Sequence, residues 1–154
     1  MARKMSDFRL PATPAAGGSY TVVKEFGEHL LYVSGCGPNL GDEVWKGRLQ
    51  ETYTTAQGAQ AAENCARNML AAIQAQIGSL GRIRSVVKLL VFVAGPSEYG
   101  EQSLVANGAT DFLIELLGDP CGRPARSAIG VNSLPNQIPV EIEGLFEIEP
   151  ASSV

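Results

Sequence analysis

Histidine is nearly missing from this 154-residue chain, with His29 standing alone. That excludes any mechanism built on a pair of histidines, and His29 itself falls at a turn between two β-rich runs, where we assign it no chemistry. Cysteine is scarce too: Cys36, Cys65 and Cys121 lack metal-ligand spacing, so no zinc site of the usual kind is expected. An odd number of thiols fits a reducing compartment, and the cytoplasm is the expected location. Charge is thin, at 18% of residues with a net −4, and aromatic residues make up 6%. Both figures argue against a nucleic-acid binder, which needs basic patches interleaved with aromatic rings. Arg82, Arg84 and Lys88 form the only basic cluster in the middle of the chain. Apolar runs stop short of the roughly 18 residues that a membrane-spanning helix needs. The stretch Met1–Arg9 carries charge without the apolar segment of a secretory signal, so no membrane association is expected.

What is present is an ordinary globular composition, 45% hydrophobic, of a length that favours one domain over residues 1–154. Residues 1–17 are rich in proline, alanine and glycine and read as an extended lead-in. Tyr20–Phe26 and Leu30–Gly35 are β-rich runs separated by Gly27-Glu28-His29, in hairpin fashion. Residues 36–52 form a long loop punctuated by glycine, with a short strand near Val44 and Trp45 as an option. Trp45 is either a cover over the core or part of a lid. From Thr54 to Ile77, Ala62, Cys65, Ala66, Met69, Ile73 and Ile77 recur at helical spacing, and Gly78 suits the C-cap. Ser85–Val93 is a nearly continuous β-branched and apolar run, the pattern of a strand covered on both sides. A second helix is expected over 98–117, capped by Ser97, with Leu104, Val105, Ala109, Phe112, Leu113, Leu116 and Leu117 buried. Cys121 lies in the break that follows, with no neighbouring base or helix N-terminus to activate it. The order β-β-(β)-α-β-α-β-β implies an α+β fold, a mixed sheet with two helices packed on one face.

The stretch 123–148 carries most of the information. It reads as two strands joined in a hairpin around Pro135 and Pro139. Ser127, Ile129 and Val131 alternate with Arg126, Ala128 and Gly130, while Val140, Ile142, Phe146 and Ile148 alternate with Glu141, Glu143 and Glu147. Arg126 is expected to share a face with the carboxylates, above a floor with little bulk. The small side positions Ala128 and Gly130 on that face suggest close approach by another backbone, hence an oligomer whose sheets face inward.

An ordered set of segments resembles a known family. They are Gly18-Ser19-Tyr20, Leu31-Tyr32-Val33-Ser34-Gly35, Val87–Val93, Pro124-Ala125-Arg126-Ser127-Ala128, Leu134-Pro135 and Val140-Glu141-Ile142-Glu143. Together they are similar to the Rid family, the YjgF-type reactive intermediate deaminases also labelled L-PSP endoribonucleases, over residues 18–149. The resemblance implies a chorismate-mutase-like fold and a homotrimer with sites between subunits. It also implies cofactor-free hydrolysis of enamines and imines, such as 2-aminoacrylate, to 2-keto acids and ammonia. By position, Arg126 matches the arginine that holds the substrate carboxylate and Glu141 the glutamate that orients water. Tyr20, Ser34, Gly35 and Asn107 match residues lining the site. Ala128 stands where several relatives carry cysteine; the resemblance implies that its backbone contacts the substrate, while any thiol contribution is lost, and the long 36–52 loop points to a divergent subgroup.

The residue types suit that chemistry. A planar guanidinium offers a carboxylate two parallel hydrogen bonds, and a partly buried carboxylate can take a proton from water. Neither step needs a metal or cofactor when the imine is itself reactive. If the last two strands pair as a hairpin, Arg126 faces about Glu147 and Glu141 faces about Asn132, roughly 20 Å apart along the strand. The two would then serve one small substrate only if each came from a different subunit. Without the resemblance, Arg126 reads first as an interface ion pair with Glu141 or Glu143 of a neighbour, with no catalysis. A binding or sensor trimer for small carboxylates and a ribonuclease are the other functions to be weighed.

Overall fold

The computed structural model describes residues 8–151 of the chain, so residues 1–7 of the expected lead-in lie outside the described residues. Five strands form one mixed sheet: β1 (Val23–Phe26), β2 (Leu30–Cys36), β3 (Ile83–Ala94), β4 (Ala125–Val131) and β5 (Val140–Ile148), in the order β1-β2-β5-β3-β4. Helices α1 (Thr55–Ile77) and α2 (Gln102–Leu117) pack on one side of it. This is the α+β arrangement the sequence order implied.

Local chemistry sets the ends of α1. The Thr54 hydroxyl accepts the Gln57 amide, and the Gln57 side chain accepts the Thr54 amide in return, so two otherwise orphaned donors are satisfied. Gly78 closes the helix at φ +83°, a left-handed cap that glycine adopts without steric cost. The second helix differs from expectation. It starts at Gln102 rather than 98, Ser97 bonds the Glu98 side chain instead of capping, and no side chain caps the helix. Starting the helix four residues later turns Leu104 outward, to 53% exposure, and leaves Tyr99 buried before the helix begins.

The central strand is β3, and its position corrects the hairpin expectation. β4 and β5 do not pair; β3 lies between them, parallel to β4 and antiparallel to β5. The longest apolar strand gains most from two neighbours, and α2 provides the crossover that a parallel β3–β4 pair requires. Residues 132–139 then carry the chain across the end of β3, through Asn136 and Gln137, which both hold φ at +58°. Among the described residues, only the helix-side face of β3 is sealed: Leu89, Val91 and Val93 are buried, while Leu90 and Phe92 are half-buried and Val87 is exposed.

The 36–52 loop is pinned rather than free. Two buried asparagines of α1 reach into it, Asn68 donating to the carbonyls of Gly37 (2.9 Å) and Asn39 (2.8 Å), and Asn64 to the Glu43 carboxylate (3.2 Å). The Trp45 indole donates to the same carboxylate, and its ring packs on Tyr53 with centroids 5.0 Å apart, as a cover on the core. No strand forms at Val44, which is 70% exposed.

The helices meet at Gly108, where an added Cβ would intrude on the Ala59 carbonyl, 2.6 Å from its carbon. Backbone cannot yield there as a flexible side chain would. Gly108→Ala is expected to lower stability by about 1–3 kcal/mol, read as a drop in thermal midpoint. Gly100→Ala, where a Cβ meets nothing within 4 Å, serves as the near-neutral control.

Candidate functional site

The register decides which side chains share a face. Arg126, Ala128 and Gly130 stand level with Leu89, Val91 and Val93, on the side covered by the helices. Glu141 and Glu143 stand level with Phe92 and Leu90, on the open side. The expectation that Arg126 shares a face with the carboxylates is therefore overturned. So is the reading of Ala128 and Gly130 as the seat of a neighbouring backbone: Ala128 packs on the core, and a Cβ at Gly130 would come within 2.9 Å of Gln102 of α2. The alternate set Ser127, Ile129 and Val131 faces outward instead, with Ile129 at 43% exposure.

Arg126 is held by one stripe of α2. Its Nη1 donates to Asn107 Oδ1 (2.9 Å) and Thr110 Oγ1 (3.1 Å), and its Nη2 to Ser103 Oγ (2.8 Å) and the Ser103 carbonyl (3.3 Å). Spacings of four and three residues put Ser103, Asn107 and Thr110 on one helix face. All four acceptors are neutral, and no carboxylate among the described residues forms an ion pair with this guanidinium. Beside it is a cavity of about 240 Å³, lined also by Asn107, Thr110 and Asp111. Neighbouring Arg123 is paired with Asp119 at 2.6 Å, so Arg126 is the cation of this cavity that touches no carboxylate among the described residues, although Asp111 lines the same space.

Glu141 lines a different cavity, of about 540 Å³, together with Tyr20, Gly35, Cys36, Asn39 and Ile138. Gly35 is required there because a Cβ would overlap the Glu141 carboxylate, 2.7 Å from Cδ. Tyr20 closes the lead-in side, its hydroxyl accepting the Gly17 amide at 3.0 Å. Burial raises the Glu141 pKa above the usual carboxylate range, and the Glu143 charge adds to the rise. Burial also pushes the Cys36 thiol up to about 12, with the Glu141 charge contributing, so the thiol stays protonated and is no nucleophile. Proton chemistry in this cavity falls to Glu141.

Tyr20, Gly35 and Glu141 are thus brought together, and Arg126 and Asn107 are brought together, but the two groups are apart. Arg126 lies three residues along and two strands across from Glu141, about 10 Å in each direction, on the opposite face. Ser34 sits beside the larger cavity with its hydroxyl donating to the Thr21 carbonyl (2.7 Å), and Ala128 lines neither cavity. Sequence reasoning missed Ser103 and Thr110. Their signal was a polar stripe at helical spacing along an otherwise apolar helix.

Over residues 11–148 the chain matches the family described as endoribonuclease L-PSP. It belongs to that family. Protein TCP17 of Trypanosoma cruzi is 39% identical over 141 residues, which cover 91% of this chain and 88% of that one. A protein of unknown function from Agrobacterium tumefaciens is 38% identical, with a TM-score of 0.85 over 94% of this chain and 90% of its own. RidA from an Antarctic Psychrobacter is 28% identical, with a TM-score of 0.59 over 88% of this chain and 94% of its own. This member of the L-PSP family thus superposes less closely on RidA than on the Agrobacterium protein.

The raised pKa of Glu141 gives a signed prediction. A carboxyl whose folded-state pKa lies above its unfolded value favours the fold when protonated, and that contribution is lost as pH rises through the folded pKa. Glu141→Gln is expected to unfold at a higher temperature than wild type near pH 7.5, with the gain shrinking toward about pH 4. Parallel thermal melts of the two proteins across that range check it.

Proposed function

We propose that the chain hydrolyses reactive imines of 2-amino acids, and enamines such as 2-aminoacrylate once tautomerised, to 2-keto acids and ammonia, without a cofactor. The observation that carries this reading is Arg126, a half-buried cation held by four neutral acceptors and without a carboxylate partner among the described residues. A cation in that state is ready for the anionic end of a substrate. Glu141 supports the second half. The imine enters protonated at nitrogen. Water adds to its carbon and passes one proton to the Glu141 carboxylate, and the resulting acid hands that proton to the amine of the carbinolamine. The carbon–nitrogen bond breaks with its electron pair going to nitrogen, the carbinolamine hydroxyl returns its proton to Glu141, and a keto acid and ammonia leave, the last proton passing to ammonia in solution. A carboxylate with a raised pKa is suited to these transfers near neutral pH.

The separation of the two groups favours a site shared between subunits of a homotrimer, in which the Glu141 cavity of one copy meets the Arg126 edge of the next. β4 is an edge strand, and the open sheet face beside it carries Ile129 and Tyr32 at 43% and 42% exposure. Such a face is suited to a second copy of the chain. The ribonuclease implied by the family description finds less support. Arg82 is engaged by the Ile77 and Glu149 carbonyls, Arg84 by the Glu149 carboxylate and Lys88 by Ser127, so the mid-chain cations are already occupied.

The test releases an imine with an amino-acid oxidase and follows keto-acid formation. Wild type accelerates hydrolysis over solvent, and Arg126→Ala lowers kcat/KM by about 10- to 100-fold. Saturable thermal stabilisation by 2-ketobutyrate without any turnover would replace the enzyme with a carboxylate sensor. Co-expressing Arg126→Ala with Glu141→Gln tests the shared site, because random assembly rebuilds about a quarter of wild-type interfaces. Recovered activity supports the interfacial arrangement, and an inactive mixture rejects it.

A further inference from the structure

The way Arg126 is held leaves a gap in its grip on an anion. A carboxylate takes two donors from a guanidinium, yet both Nη atoms are directed into α2, and only the Nε–H makes no hydrogen bond to the described residues. Ser103 and Thr110 both offer hydroxyl oxygens to this arginine, but they are not equivalent. Thr110 is buried and turns its proton inward, to the carbonyls of Ala106 (3.5 Å) and Asn107 (3.4 Å). Ser103 is exposed, accepts from Nη2 at 2.8 Å, and has no acceptor among the described residues for its own proton. A hydroxyl accepts and donates at once, so Arg126 orients the Ser103 oxygen and leaves its proton aimed away from the cation.

We infer that Ser103 is a substrate-binding residue, its hydroxyl donating to the substrate carboxylate beside the Arg126 Nε–H and completing a two-point grip that the guanidinium alone does not offer. The inference rests on Arg126 being the carboxylate anchor. Ser103 thereby discriminates for an acid over a neutral analogue, since a carboxylate accepts that proton more strongly than an amide does.

The experiment uses the full chain and two probes, 2-ketobutyrate and its amide, whose binding is measured by calorimetry alongside imine-hydrolysis kinetics. Ser103→Ala is expected to bind the keto acid about ten-fold more weakly, to bind the amide as wild type does, and to raise KM by the same factor with kcat held. Ser103→Thr keeps the hydroxyl and restores the acid. Equal or tighter binding of the keto acid by Ser103→Ala would overturn the inference, because Ser103 would then merely compete for Nη2. Equal losses for acid and amide would also overturn it, marking a general loosening of α2, as would a wild type that binds no keto acid. If the acid-specific loss appears but wild type hydrolyses no imine, the carboxylate grip stands and the deaminase reading falls.

Discussion

β3 is the constraint from which the rest of the molecule follows. Its apolar run takes the centre of the sheet and so receives β4 on one edge and β5 on the other. That single choice separates the two segments with the most chemistry. Arg126 rides on the strand level with Leu89 and faces α2, while Glu141 rides on the strand level with Phe92 and faces away from the helices. With both helices on one side, the other side of the sheet carries half-buried and exposed apolar groups. A chain built this way has one sealed core and one face suited to a partner.

Each half of the candidate site is shaped by a different physical demand. Around Arg126 the demand is to hold a charge without cancelling it, and α2 answers with hydroxyl, carboxamide and carbonyl oxygens that orient the guanidinium and leave its charge intact. Around Glu141 the demand is for room, which Gly35 provides by having no side chain, and for partial burial, which raises the carboxyl pKa. The long loop contributes to the second half through Asn39, held in place by the buried Asn68 amide. The start of the loop therefore forms one wall of the larger cavity.

Much of this was legible from the residues. Apolar periodicity marks α1, and Gly78 marks its end, because helical spacing and a left-handed cap are local properties. The start of α2 was less legible: Ser97 looked like a cap, yet the chain continues four residues before it turns helical, and burying Tyr99 outweighed the cap signal. The hairpin was misread for a related reason. Two alternating strands joined by a proline-rich turn look adjacent, and nothing local reveals that a third strand lies between them.

By itself, then, the sequence determined the elements, the α+β class, and the residues worth examining, since periodicity, caps and short motifs are written within a few positions of one another. Which face each strand presents depends on who its neighbours are. That was decided only by the tertiary structure, because β3 pairs with residues more than thirty positions away and sets their register. The same register turned Arg126 toward α2 and found for it the Ser103–Asn107–Thr110 stripe, and it turned Glu141 the other way, into the cavity beside Gly35.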